Sequence, residues 1–254
     1  MSSETGFERW LDRFEAPERT VCTINWTQPE PVQNLVSEAF TDQPVAVEDV
    51  EVPSDAEDVV VVVEDGDVVA TSSLESLMES FLTINSDSFR TGTTGFEDGV
   101  PEVLTALDET VFEVRGYPAS NKEKLLLTVI SRHVERRALD GGEGTIRTLF
   151  QRLSRIDDER GTREVYHQLT DADLDFHVYG RADNWSPPPD SDLVVHEGAS
   201  APYRDSWCVV YRPPEGGPGH AALVAVKTDD NEWRGAWTYD REYVAEIDDY
   251  AATL

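Results

Sequence analysis

Lysine is nearly missing from this 254-residue chain: Lys122, Lys124 and Lys227 are the only three among 21 basic residues, and the rest are arginine. Fifty-one acidic residues leave a formal net charge of −30. A chain this acidic would have to build a basic footprint against its own field, which argues against direct nucleic-acid binding. Cysteine is equally scarce. Cys22 and Cys208 lie in apolar, strand-like stretches, VCTI and WCVVY, with no cysteine or histidine at ligand spacing. They read as buried free thiols rather than as metal ligands. Long apolar runs are absent too: the longest, Ala221 to Val226, cannot span a bilayer, and the acidic N-terminus has no apolar signal core. The expected location is the cytoplasm.

Familiar catalytic signatures are also lacking. No serine occupies a G-x-S-x-G elbow, and the five histidines, His133, His167, His177, His196 and His220, form no H-x-x-x-H pair. The glycine cluster DGGEGT at 140–145 has neither the Lys-Ser/Thr ending of a nucleoside-triphosphate loop nor dinucleotide-fingerprint spacing. It reads as a helix stop and a turn, with Thr145 capping a following helix. A small-molecule or nucleotide-processing enzyme whose active site assembles only in space stays open as an alternative. A protein-interaction adaptor is a second one.

What the chain does contain is acid spread evenly from Glu4 to Asp249, with apolar periodicity running between the carboxylates. That distribution differs from a disordered acidic tail. At about 1 M salt the Debye length falls to roughly 3 Å, so such a surface no longer strains the compact state. The composition therefore predicts a halophilic protein of a salt-in cytosol, as in haloarchaea.

The hydrophobic spacing predicts one mixed α/β domain: a central sheet with an antiparallel C-terminal portion and flanking helices. Phe7, Trp10, Leu11 and Phe14 form a helical stripe within an N-terminal amphipathic helix over 1–16, the rest of the domain covering 17–254. A VCTIN strand, a helix carrying Val32, Leu35, Val36 and Ala39, and a strand at Val45–Val50 follow in βαβ-like alternation. Asp65-Gly66 between two valine runs marks a tight hairpin. Ser72 and Glu75 suggest a capping box for a helix from Leu74, and residues 83–100 a long loop and candidate lid. A strand at Thr110–Val114 precedes a long helix from Ser120, whose core stripe is Leu126, Val129, Ile130 and Val134. Two further helices are expected, one with Ile146, Leu149, Phe150 and Leu153 inward, the other with Val165, Tyr166 and Leu169. Strands at Leu174–Tyr179, Leu193–His196, Trp207–Tyr211, Ala221–Lys227 and Trp233–Tyr239 then lead to a closing helix.

Two strands carry candidate binding chemistry. In LDFHVYG, His177 and Tyr179 share a face, which fits a ligand wall or plain half-exposed alternation. In WRGAWTY, Gly235 separates Trp233 from Trp237, which fits close ligand approach or core packing beneath the closing helix. Arginines that fork onto an anion, together with aromatic faces, suit a nucleotide-like or aromatic acid ligand. The candidate ligand-binding set is Arg147, Arg152, His177, Tyr179, Trp207 and Trp237; no catalytic or metal-binding residue and no cofactor is assigned.

Taken in order, GTIRTLFQRLS at 144–154, VYHQLTDADLDFHVYG at 165–180, RDSWCVVYR at 204–212 and WRGAWTYD at 233–240 resemble the DICT sensory domain of stand-alone haloarchaeal proteins. SSLESLMES at 72–80 and SRHVERRA at 131–138 add to the likeness, which extends over most of the chain after about residue 15. The resemblance implies a signal-input role without catalysis. It also implies a signalling partner, a two-component or transcriptional regulator, or else self-association, with a small-molecule ligand compatible; charge and hydropathy, as read above, leave neither nucleic acid nor membrane expected.

Overall fold

The computed structural model describes residues 6–29, 40, 43–86, 100–115, 122–158, 160–187, 191–230 and 232–254. Its smaller sheet contains β1 (Arg19–Ile24), β2 (Ala46–Val50), β3 (Val59–Glu64) and β4 (Asp67–Ser73), in the order β2-β1-β3-β4. β1 and β2 pair in parallel; β3 is antiparallel to both β1 and β4. The hairpin between β3 and β4 turns at Asp65 (φ 52) and Gly66 (φ 88), the left-handed pair that a two-residue turn requires. The helix expected over Val32–Ala39 lies outside the described residues.

The larger sheet has seven strands: β5 (Phe112–Arg115), β6 (Glu143–Leu149), β7 (Asp173–Gly180), β8 (Val194–Glu197), β9 (Ser206–Arg212), β10 (Ala221–Asp229) and β11 (Glu232–Thr238). Their order is β5-β11-β10-β9-β6-β7-β8. From β5 to β6 every pair is antiparallel, and β6, β7 and β8 run parallel. The helices among the described residues are α1 (Glu8–Leu11), α2 (Leu74–Ser86), α3 (Glu102–Thr105), α4 (Lys122–Gly141), α5 (Arg155–Asp158), α6 (Arg160–Asp171), α7 (Ala201–Asp205) and α8 (Arg241–Ala251). Together they make one mixed α/β domain.

Each face of the larger sheet carries its own apolar layer. On one, Leu127, Ile130 and Val134 of α4 and Val165 and Leu169 of α6 pack on Ile146, Val178, Val209, Leu223 and Trp237; the smaller sheet joins this layer through Val60, Val62 and Ala70. On the other, Phe7, Trp10 and Leu11 of the N-terminal segment and Val244, Ile247 and Ala251 of α8 cover Cys208, Val210, Ala222, Val224 and Ala236. β10 lies between the two layers, and its residues Ala221–Val226 are all buried, which explains the longest apolar run in the sequence.

Several expected elements differ. The segment predicted as a helix around Ile146–Leu153 is the strand β6 followed by a turn and α5. Ile146 points into one layer and Leu149 into the other, so burial on both faces imitates helical spacing. Helix α2 begins at Leu74, with Ser73 Oγ accepting from the Ser76 amide at 3.1 Å; Ser72, the expected cap, belongs to β4 and accepts from the Val103 amide at 3.2 Å. α2 runs to Ser86, into the loop expected from Thr83, and 87–99 lie outside the described residues, as does the Ser120 start of α4. DGGEGT is a helix stop and turn: the Gly142 amide bonds the Ala138 carbonyl at 3.0 Å, but Thr145 enters β6 and caps nothing. Among the described residues of the expected N-terminal helix only one turn, α1, is helical, although Phe7, Trp10, Leu11 and Phe14 are all buried on this domain.

Candidate functional site

β6, β7 and β8 place a cluster of polar aromatics beneath α8. Arg147 is in register with His177 and Tyr179 with His196, and side chains two residues apart share a face, so all four point toward α8. The Tyr179 and His196 rings stack at 4.2 Å with 5° between their planes. His177 Nδ1 lies 2.9 Å from His196 Nε2, a hydrogen bond in which one ring donates and the other accepts. Tyr203 of α7 borders the stack, its ring centre 6.4 Å from that of Tyr179.

Arg147 ties this stack to the helix. Its Nη1 donates to Tyr179 Oη at 3.0 Å and its Nε to Asp248 Oδ1 of α8 at 2.8 Å. Arg212 of β9 donates to Asp248 Oδ2 at 3.3 Å and to Asp249 Oδ1 at 2.7 Å. The Asp248 side chain is only 6% exposed, so its charge is held by these two guanidinium groups rather than by water. One carboxylate thus links β6, β9 and α8.

The environment sets the protonation of the cluster. Burial pushes the Tyr179 phenol above its ordinary value despite Arg147 beside it, so it stays neutral. Burial, then His177 and then Arg147, hold His196 below the ordinary histidine value. Burial likewise raises the Cys208 thiol, which stays protonated and unreactive. Asp175 Oδ1 lies 3.0 Å from His177 Nε2, although that nitrogen makes no hydrogen bond.

Of the residues expected to bind a ligand, Arg147, His177 and Tyr179 come together here. Arg152 is exposed in the turn after β6. Trp207 and Trp237 point to the opposite face of the sheet: Trp237 is fully buried, stacked on Phe112 at 5.4 Å and 3°, beneath α4 rather than beneath the closing helix. The gap at Gly235 is filled by Leu127 of α4, whose Cδ1 would stand 2.8 Å from an added Cβ. His196, Arg212 and Asp248 were not anticipated. Asp248 does leave a trace in the sequence: it occupies an apolar position of the stripe Val244, Ile247, Asp248, Ala251, and a carboxylate on a buried stripe needs a partner.

Comparison with curated proteins and with solved structures finds no match. Residues 101–227 match a family described as DICT, a sensory domain in diguanylate cyclases and two-component systems. The matched half runs from before α3 into β10 and contains Arg147, His177, Tyr179, His196 and Arg212; SSLESLMES, WRGAWTYD and Asp248 fall outside it. On this match, the chain belongs to the DICT sensory-domain family.

Proposed function

We propose that this chain is a signal-input module of a haloarchaeal signalling system, acting by ligand or partner binding without catalysis. Its output passes to a separate two-component or transcriptional protein, or to a second copy of itself. The functional unit runs over 17–254, preceded by the N-terminal segment 1–16, of which Phe7, Trp10, Leu11 and Phe14 pack against it. Family membership supports the sensory role. The observation that carries the mechanism is the Asp248 bridge: a change at the Arg147–Tyr179–His196 stack reaches α8 through a single buried carboxylate. A role without a nucleophile or a free base is favoured by the pairing of Arg147 with Asp248 and by the Cys208 thiol being held neutral. No helix among the described residues is long and apolar enough to cross a membrane.

The test is native mass spectrometry of protein purified from a haloarchaeal host, followed by amide exchange with and without any retained molecule. Saturable binding that changes protection of α8, with no product formed, supports the sensor. Turnover of nucleotides or esters that vanishes in His177→Ala would instead establish the enzyme alternative. An adaptor that docked through the N-terminal apolar stripe is disfavoured, because Phe7, Trp10, Leu11 and Phe14 are buried on this domain.

A further inference from the structure

A second feature touches the bridge from outside. Arg212, Pro213, Glu215, His220, Arg241 and Ala245 line an open cavity of about 250 Å³ between the β9–β10 turn and the start of α8. Two arginines and a histidine thus converge in a protein of net charge −30. Arg241 is exposed and forms no ion pair with a carboxylate among the described residues, although the chain has 51 acidic residues to offer. It also stands at the first position of α8, where the helix dipole disfavours positive charge.

The neighbouring charges sharpen the point. Burial and then the fields of Arg241 and Arg212 keep His220 below its ordinary value, with Asp240 opposing them. Asp240 is engaged as the cap of α8, accepting from the Glu242 and Tyr243 amides, and Asp249 and Asp248 are engaged by Arg212. Arg137 fixes the edge of the cavity by donating to the His220 carbonyl at 3.1 Å. Glu215 is the one acidic residue on the wall itself. Clustered cations, set against a dipole and against one another, have their repulsion relieved when an anion enters.

We propose that this cavity binds a small phosphate-bearing anion, either the free ion or a phosphate monoester, gripped by Arg241 and Arg212 with His220 as a third donor. Occupancy draws Arg212 toward the anion and away from Asp248, loosening the bridge to Arg147 from its solvent side. That consequence rests on the sensory reading above, whereas binding itself does not. The probes are inorganic phosphate and ribose 5-phosphate, titrated at fixed high KCl and followed by phosphorus resonances and by the His220 ring.

Saturable binding that shifts the His220 titration upward is expected. Arg241→Gln weakens it by about tenfold or more, as the loss of a charge-assisted contact requires, without lowering the melting temperature. Glu215→Gln tightens it. Equal binding of the two probes identifies the free ion as the ligand, and tighter binding of the sugar phosphate identifies a monoester. Binding of neither probe, or unchanged affinity in Arg241→Gln, overturns the proposal. Binding with unchanged amide exchange in α8 leaves the site standing and removes only its link to signalling.

Discussion

Asp248 is the side chain with the most to lose. It is buried, and Arg147, whose side chain is 13% exposed, depends on it for charge balance. Removing one member of a buried pair typically costs about 3–5 kcal/mol, while replacing both with apolar groups is close to neutral. Asp248→Asn is therefore expected to lower unfolding free energy by about that amount in denaturant titrations, and Arg147→Met with Asp248→Leu to recover most of it. A double variant as unstable as the single one would show that the bridge contributes more than its own charge balance. His133 offers a pH test. Burial, then Arg137, lower it to about 4. Because the folded value lies below the unfolded 6.5, the unfolded chain takes up the proton first, and stability is lost as pH falls from about 6.5 toward 4. The loss attributable to this one ring is at most about 3 kcal/mol. His133→Gln should remove it, seen as a smaller difference between melts at pH 7 and pH 4.5. Much of this residue-level chemistry is illegible in sequence because it depends on parity across paired strands. His177 and Tyr179 could be seen to share a face, but only the parallel register of β6, β7 and β8 reveals Arg147 and His196 beside them.

Elements were legible where one face is buried and the other wet. The β3–β4 hairpin, α6 and α8 follow the periodicities of their apolar residues, and α4 keeps Leu126, Val129, Ile130 and Val134 inward. Legibility fails where both faces are buried: β6 carries apolar residues into two layers and so counterfeits a helix. α1 errs in the opposite direction, since its stripe is real but its helix is one turn long. Trp10 is fully buried against Phe7 and Tyr250, and its Nε1 donates to Glu246 of α8 at 3.2 Å. Trp10→Ala should cost about 3–5 kcal/mol, and deleting residues 1–16 should lower the melting temperature while leaving the oligomeric state unchanged. A new oligomer on deletion would mean that this segment shields a contact surface. Gly144 marks the entry to β6 at φ +108, where an added Cβ would stand 2.6 Å from the Arg212 carbonyl. Gly144→Ala therefore strains both the backbone and the β6–β9 pairing, and a loss above about 1 kcal/mol is expected on denaturation.

Across the whole molecule the dominant force outside the core is repulsion among carboxylates. The described ion pairs are mostly arginine with Asp or Glu, among them Arg19 with Glu64, Arg132 with Glu135 and Arg163 with Asp157, yet 21 basic residues can offset fewer than half of 51 acidic ones. The surplus resides on the surface, where interactions reach about 10 Å at 0.1 M salt and about 3 Å at 1 M. The two apolar layers favour folding at either concentration; the repulsion opposes it strongly only at the lower one. Unfolding is therefore expected to be cooperative in molar KCl, and the fold to loosen or melt at markedly lower temperature near 0.1 M. Two comparisons separate screening from other salt effects. Screening acts alike with KCl and NaCl, and most of its gain is complete by about 1 M, whereas strengthening of apolar burial would continue to grow and would be larger with sulfate. Circular-dichroism melts across this series should show a steep early rise for both chlorides. Equal stability at 0.1 M and 1 M KCl would sink the salt-adaptation argument and leave the −30 charge to be explained by a basic partner.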